Sequence, residues 1–171
     1  MVQRQAMTSR ESVWTDHAGA KGGVMYGKPI VVIEGAQAKP PTAREALDAL
    51  GLARNMVHFD NADQALGRLR GERAWEPAVI VLDGLPDGPN GLDALKILKS
   101  DETLRAIPVI VVTPSGDAQV VDESFARGAA GFVVKPASRS EFIETMRAIH
   151  EYWTLSEVPP GMQSVRCWLG T

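Results

Sequence analysis

This chain of 171 residues has few of the features that define several common classes of protein. It has one cysteine, Cys167, so it cannot form an internal disulfide, and this fits a reducing compartment such as the cytoplasm. Its three histidines, His17, His58 and His150, are far apart and lack the spacing of metal ligands. We therefore do not expect a metal site built from histidine or cysteine.

Long apolar runs and an excess of basic residues are also missing. No apolar stretch approaches the ~20 residues that a membrane-spanning helix needs, and no apolar segment follows Arg4 and Arg10 as it would in a secretory signal. The formal net charge is -3, and the clustered Lys and Arg that bind nucleic-acid phosphates are absent. We expect neither a membrane nor a nucleic acid as a partner.

The distribution of apolar residues divides the chain into three parts. Residues 1–28 are polar and interrupted by glycines, and we predict a flexible leader. Residues 29–155 carry the pattern of one globular domain, which is long enough to bury a core. Residues 156–171 contain Pro159 and Pro160 and are predicted to be a C-terminal tail, too short for a DNA-binding or catalytic output domain.

Within residues 29–155, short runs rich in Val and Ile alternate with amphipathic helical patterns. Two of the predicted helices open on pairs with the spacing of a capping box, Thr42 with Glu45 and Ser138 with Glu141. This alternation predicts an α/β fold with a doubly wound, five-stranded parallel sheet that helices cover on both faces. The five predicted strands lie at Ile30–Ile33, Met56–Phe59, Ala78–Leu82, Val109–Val112 and Phe132–Val134.

Polar side chains stand where four of these strands end. Asp83, Thr113 and Lys135 follow the third, fourth and fifth strands, and Glu34 follows the first. In open parallel sheets, ligands bind beside the carboxyl ends of the strands. An Asp near a Lys suits phosphoryl chemistry, because the carboxylate can attack phosphorus and the ammonium can neutralise the transferred group. A hydroxyl could donate to a phosphoryl oxygen, and Glu34 could help to hold Mg²⁺.

Each of these residues also has a plain structural explanation. Aspartate favours turns, Lys135 and Thr113 each precede a proline, and Glu34 could be a solvated strand terminus. Their joint occurrence at four strand ends is harder to explain by chance. A small flavodoxin-like enzyme is disfavoured, because the glycine loop for dinucleotides, the phosphate-binding loop and the hydrolase nucleophile elbow are all absent.

Four motifs at the strand ends together form a known pattern. They are Ile33-Glu34, Val81-Leu82-Asp83 with Gly91, Val111-Val112-Thr113, and the run Gly128–Pro136. On these motifs, the span from about Ile30 to Trp153 resembles the receiver domain of bacterial two-component response regulators. The resemblance implies a flavodoxin-like fold with strand order 2-1-3-4-5 and a signalling protein that is not an enzyme. The region before the fourth strand and the ending Tyr152-Trp153 are similar to stand-alone regulators paired with phytochrome-type kinases.

The resemblance also implies roles for single residues. Asp83 would accept a phosphoryl group from a sensor histidine kinase in the cytoplasm, and Thr113 and Lys135 would contact that group. Thr113 and Phe132 would form a switch pair that changes the binding surface. The Lys135–Pro136 peptide bond is expected to be cis.

The implied metal site is incomplete. The resemblance implies Mg²⁺ held by Glu34, Asp83 and the backbone carbonyl of Leu85, but Gly35 stands where receivers carry a second acid. Loss of a residue that only orients a ligand typically costs about 10–100-fold in metal affinity, so we expect weak binding here and stronger binding after Gly35→Asp.

Two functions therefore stay open. The chain is either a phosphorylated receiver that signals through protein contacts or a degenerate receiver that binds proteins without phosphoryl chemistry. We also predict a homodimer through the face of the fourth helix, fifth strand and fifth helix. The apolar side chains of the last helix, Phe142, Met146, Ile149 and Trp153, either supply that surface or pack on the sheet.

Overall fold

A single five-stranded parallel sheet forms the centre of the molecule. The computed structural model describes residues 11–12, 25–26, 28–35, 38–71, 76–84 and 92–155. The strand order is β2-β1-β3-β4-β5, and every neighbouring pair is parallel. The predicted fold class and strand order are confirmed. The strands are β1 Ile30–Glu34, β2 Met56–Phe59, β3 Val79–Asp83, β4 Val109–Thr113 and β5 Gly131–Val134.

Within the described ranges, five helices connect and follow these strands. They are α1 Ala43–Ala49, α2 Ala62–Leu69, α3 Asp93–Ser100, α4 Ala118–Ala126 and α5 Arg139–Leu155. A 3-10 turn at Ala53–Asn55 precedes β2. Over the ranges that the structure describes, no helix has both the length and the apolar character needed to cross a membrane.

The predicted capping box fixes the start of α1. The Glu45 amide donates to Thr42 Oγ1 at 3.3 Å, and the Thr42 amide donates to Glu45 Oε2 at 3.1 Å. After the helix, Gly51 adopts a φ of 73°, a left-handed conformation that favours glycine. The direction in which α1 leaves the sheet is therefore set at both ends by local sequence.

The core consists of two apolar layers, because alternate residues of each strand face opposite sides of the sheet. One layer lies under α1 and α5, and its helical members include Ala46, Leu47, Phe142 and Met146. The other lies under α2 and α3, with Leu66, Leu69, Leu95 and Leu98. Helix α4 lies beside β5 and buries only Ser124, whose hydroxyl donates to the Val120 carbonyl at 2.7 Å.

The apolar stripe of α5 packs on the sheet. Phe142 and Met146 are 0% exposed and Ile149 is 8% exposed, while Trp153 packs partly buried against the same layer. The prediction that these four side chains supply a dimer surface is wrong, because the sheet already covers them. The alternative, that they belong to the core, is confirmed.

The predicted leader contains some secondary structure. Glu11–Ser12 pairs antiparallel with Met25–Tyr26, and the second strand lies beside the 3-10 turn at Ala53–Asn55. The leader predicted as flexible is therefore structured at these positions. Most of its other residues, and the predicted tail at 156–171, lie outside the described residues.

Candidate functional site

The sheet brings the predicted site residues to one edge. Glu34 and Asp83 are register partners at the ends of β1 and β3, and Asp83 is in turn opposite Val112 of β4. Thr113 is opposite Val134, directly before Lys135. Glu34, Asp83, Thr113 and Lys135 therefore lie near the carboxyl ends of four neighbouring strands, with Thr113 and Lys135 one and two residues beyond the Glu34–Asp83 pair in the register.

Asp83 and Lys135 form a buried ion pair. Lys135 Nζ lies 2.7 Å from Asp83 Oδ1, and the two side chains are 4% and 0% exposed. The ammonium also donates to the Lys39 carbonyl at 3.0 Å and lies 4.9 Å from the centre of the Phe142 ring. These three contacts hold the lysine in the sheet edge, with its charge directed at the carboxylate.

The second oxygen of Asp83 is also engaged. Asp83 Oδ2 accepts a hydrogen bond of 2.7 Å from the amide of Ala43, the first residue of α1. Burial raises the pKa of Asp83, the hydrogen bonds from Lys135 and Ala43 oppose that change, and the nearby charge of Glu34 adds to it. The net direction is upward, so burying this carboxylate costs more than its partners return.

The carboxylate oxygens of Glu34 also contact other groups of the same chain. Its Oε1 accepts from the Arg44 amide at 3.2 Å, and its Oε2 lies 3.2 Å from His58 Nε2. His58 Nδ1 lies 3.8 Å from Asp60 Oδ1. Glu34 and Asp83 therefore each accept a hydrogen bond from one of the first two backbone amides of α1.

Sequence reasoning missed His58 as a neighbour of the site. The signal was available in strand alternation, because His58 is opposite Val32 on β1 and Glu34 is two residues further along the same face. It also missed the Ala43 and Arg44 amides. Their positions depend on the path of the β1–α1 connection, which no side-chain pattern reports.

Thr113 and Phe132 lie on the other face of the sheet edge. By strand alternation Thr113 shares the face of Val111, the register partner of Phe132, and not that of Val112. The Thr113 hydroxyl accepts from the Ser115 amide at 3.4 Å, and Phe132 packs partly buried against the α2–α3 layer. Thr113 and Phe132 therefore face the same side of the sheet on neighbouring strands, opposite to the side of the Asp83–Lys135 ion pair.

The Lys135–Pro136 peptide bond is trans, since the cis peptide among the described residues is Pro40–Pro41. The expectation of a cis bond at Lys135 is wrong. Lys135 reaches Asp83 with the trans bond, because its backbone amide donates to the Thr113 carbonyl at 2.8 Å and continues the β5 pairing.

Gly35 and Gly84 allow the backbone of the β1–α1 connection to approach the end of β3 closely, because neither residue has a side chain. A Cβ at Gly35 would lie 2.1 Å from the Gly84 carbonyl oxygen, and one at Gly84 would lie 2.2 Å from the Ala38 amide nitrogen. The Gly35 amide donates to the Asp83 carbonyl at 2.8 Å. The two backbones close over Asp83, which is 1% exposed.

A divalent cation does not fit this arrangement. Receiver domains generally bind Mg²⁺ in an acidic pocket. Here one oxygen of Asp83 and one of Glu34 accept backbone hydrogen bonds, the other two lie 2.7 Å from Lys135 Nζ and 3.2 Å from His58 Nε2, and position 35 has no room for a side chain. Across the described ranges, no three His, Cys, Asp or Glu residues are grouped so that they could hold a metal. Leu85, the third predicted ligand, lies outside the described residues.

The family follows from this fold and from comparison with known proteins. Residues 30–147 match the family model of the response regulator receiver domain. The chain therefore belongs to this family, as the resemblance implies.

The chain is similar to several individual proteins, of which two curated relatives match over most of their own length. The polar-differentiation response regulator DivK of Brucella anthropi is 30% identical over 124 residues, which cover 71% of this chain and 94% of DivK. The probable methanogenesis regulatory protein FilR2 of Methanothrix harundinacea is 28% identical over 136 residues, covering 77% and 87%. Phytochrome regulators are among the structural neighbours: the phosphorylated cyanobacterial phytochrome response regulator RcpA matches with a TM-score of 0.64 at 29% identity, covering 78% of this chain and 99% of RcpA.

Proposed function

We propose that this protein is a receiver-fold signalling module that acts by binding other proteins, and that phosphoryl transfer to Asp83 is strongly reduced. The observation that carries the proposal is the state of the Asp83 carboxylate. It is 1% exposed, and its two oxygens contact Lys135 Nζ and the Ala43 amide.

The chemistry of phosphoryl transfer explains why this state matters. A carboxylate nucleophile needs an oxygen in line with the phosphorus of the donor, at about 3–3.5 Å. The transferred group also brings charged oxygens that need neutralisation, normally from a metal ion together with a cationic side chain. Lys135 is present, but the closed backbone at Gly35 and Gly84 keeps a donor away from Asp83.

A second candidate function is ordinary phosphorylation of Asp83 by a sensor histidine kinase. The observation that favours it is the 2.7 Å ion pair between Asp83 and Lys135, with Thr113 at the same sheet edge. For this reaction the β1–α1 connection has to move away from Gly84, and the Ala43 amide has to release Asp83.

Labelling with acetyl phosphate separates these two functions. The full chain is incubated with acetyl phosphate and Mg²⁺, and intact mass spectrometry measures the phosphoryl adduct. A receiver with both acids after the first strand is the positive control, and Asp83→Asn is the matched negative control. We expect labelling at least about tenfold below the positive control, in line with the loss of a metal ligand. Labelling equal to the positive control that disappears in Asp83→Asn would establish the second candidate.

The protein-binding surface that we propose is the face of α4, β5 and α5. Phe125 of α4 and Val134 of β5 are each 50% exposed, and Tyr152 and Leu155 near the end of α5 are 64% and 82% exposed. Exposed aromatic and aliphatic side chains are the usual anchors of protein interfaces. We propose that this face binds a second copy of the chain or a cytoplasmic signalling partner.

A further inference from the structure

We propose that the first two amides of α1, together with Lys135, do the charge-neutralising work of a divalent cation, so that the site excludes Mg²⁺. The inference deepens the proposed function and rests on it. It identifies what stabilises two adjacent carboxylates in a protein that has lost the metal-binding acid.

The need for a counter-charge follows from the strand register. Glu34 and Asp83 are paired across neighbouring parallel strands, so their carboxylates extend from the same row of the sheet. Side chains in such a row are close, and like charges destabilise one another unless donors or cations lie between them.

The chain itself supplies a partner for each carboxylate oxygen. Asp83 Oδ2 accepts from the Ala43 amide at 2.7 Å, and Glu34 Oε1 accepts from the Arg44 amide at 3.2 Å. Lys135 Nζ lies 2.7 Å from Asp83 Oδ1, and His58 Nε2 lies 3.2 Å from Glu34 Oε2. A cation that bound both carboxylates would have to displace the Lys135 ammonium from Asp83 Oδ1 or break the hydrogen bonds from the Ala43 and Arg44 amides.

Steric contact also prevents a side chain at position 35 from entering the site. A Cβ at Gly35 would come within 2.1 Å of the Gly84 carbonyl oxygen, so an acidic side chain at position 35 cannot fit while the two backbones are in contact. Stronger Mg²⁺ binding by Gly35→Asp stays a prediction, with a steric condition attached to it. The substitution must first separate the β1–α1 connection from Gly84.

Helix α1 cannot withdraw easily to admit a cation. The Thr42–Glu45 capping box uses the third amide of the helix and fixes its first turn. Ala46 and Leu47 are buried in the layer shared with Phe142 of α5. Moving the amides away from the carboxylates would expose this packed surface, because the first turn and the apolar stripe belong to one rigid helix.

Thermal unfolding of the full chain in MgCl₂ and in EDTA tests the proposal. A ligand that binds only the folded state raises Tm in a concentration-dependent way. We expect the same Tm in both conditions for the wild type, and no Mn²⁺ binding in a direct titration followed by electron paramagnetic resonance. A saturable rise of several degrees in Mg²⁺ that is lost in Asp83→Asn would overturn the proposal. This wild-type measurement requires no variant to fold.

Two variants at one position add a matched comparison. Gly35→Ala and Gly35→Asp both push the connection away from Gly84, but only the second adds a ligand. We expect both to lower Tm in EDTA, and Mg²⁺ to recover part of the loss only in Gly35→Asp. An equal change of Tm on adding Mg²⁺ to the wild type and to Gly35→Asp would contradict the proposal. Acetyl phosphate labelling of Asp83 is measured in a separate experiment. If the wild type binds Mg²⁺ but forms no phosphoryl adduct, this inference is rejected and the proposed function is not.

Discussion

The Asp83–Lys135 contact places two opposite charges in almost complete burial. Burial costs such a pair several kcal/mol per ion before the attraction between the charges is counted. The raised pKa of Asp83 has the same cause, since desolvation outweighs the hydrogen bonds from Lys135 and Ala43. The pair therefore adds little net stability while both members are present, yet removing one member is costly.

We predict that Lys135→Met lowers the free energy of unfolding by about 3 kcal/mol, because Asp83 is left buried without its cation. The double variant Asp83→Asn/Lys135→Met should lose clearly less, since no uncompensated charge remains. Urea denaturation of the wild type, both single variants and the double variant measures this cycle. A double variant whose loss equals the sum of the single losses would show that the two side chains do not interact.

Which residues of the site the sequence could predict depends on how each one is positioned. Asp83 and Lys135 stand directly at the ends of apolar runs, and parallel strands bring such ends together. The contact between Gly35 and Gly84 could not be predicted from the sequence, because it depends on how closely two loops approach each other. The trans bond at Lys135 was also missed, since the expectation came from the resemblance and not from any property of this segment.

At the scale of single elements, α1 connects the local sequence to the site. Its first three amides donate to Asp83, Glu34 and Thr42. The capping box is a local signal that the sequence shows in full. The identity of the other two acceptors is a tertiary property, because both carboxylates come from strands and one of them is 40 residues away.

We predict that Thr42→Ala lowers the free energy of unfolding by about 1 kcal/mol, because it removes a capping hydrogen bond. Asp48→Ala, an exposed position on the same helix, is the control and should change stability by less than about 0.5 kcal/mol. Chemical denaturation measures both. Equal losses at the two positions would mean that the cap does not hold α1 against the sheet.

The turn between α3 and β4 contains a second hydrogen-bond centre, which is partly buried. Asp101 accepts from the Thr103 amide and hydroxyl at 2.8 and 2.6 Å and from the Leu104 amide at 3.0 Å, and Arg70 Nε donates to it at 2.6 Å. Burial alone would raise its pKa, but the hydrogen bonds from Thr103, Arg70 and Leu104 outweigh it and lower the pKa to about 2.

This shift predicts a pH dependence. The folded-state pKa of about 2 lies below the ordinary value of 3.8, so Asp101 stabilises the fold above pH 3.8 and that stability is lost as the pH falls towards 2. Asp101→Asn should cost about 1–2 kcal/mol at neutral pH after allowance for the half-exposed Arg70, and much less near pH 2. Unfolding curves at several pH values measure it, with exposed Asp122→Asn as control. A cost that does not change with pH would contradict the assignment.

At the scale of the whole molecule, the sheet and the two apolar layers follow from the sequence, while the outer surface does not. The spacing of Phe142, Met146 and Ile149 fits a core stripe and a dimer seam equally well. Only the packing of α5 beside α1, in the apolar layer that they share, decides between them. In α4, the large apolar side chain of Phe125 is half exposed, which its residue type does not predict.

We predict that association of the chain, measured by light scattering over a range of concentrations, depends on the α4–β5–α5 face. Phe125→Ser and Val134→Thr should each shift the mass towards one chain, because both remove half-exposed apolar area from that face. Ile97→Ser, on α3 and 38% exposed, is the matched control and should leave the mass unchanged. A wild-type mass of one chain at every concentration would reject a homodimer.

The closed backbone around Asp83 also affects how genetic experiments on this protein should be interpreted. Replacing the phosphoacceptor by glutamate is a common way to imitate a permanently activated regulator. Here the side chain at position 83 is 0% exposed and already contacts its partners, so an added methylene overpacks the site at a cost of about 1–3 kcal/mol. A phenotype of Asp83→Glu would then report a weakened fold and not a constitutive signal.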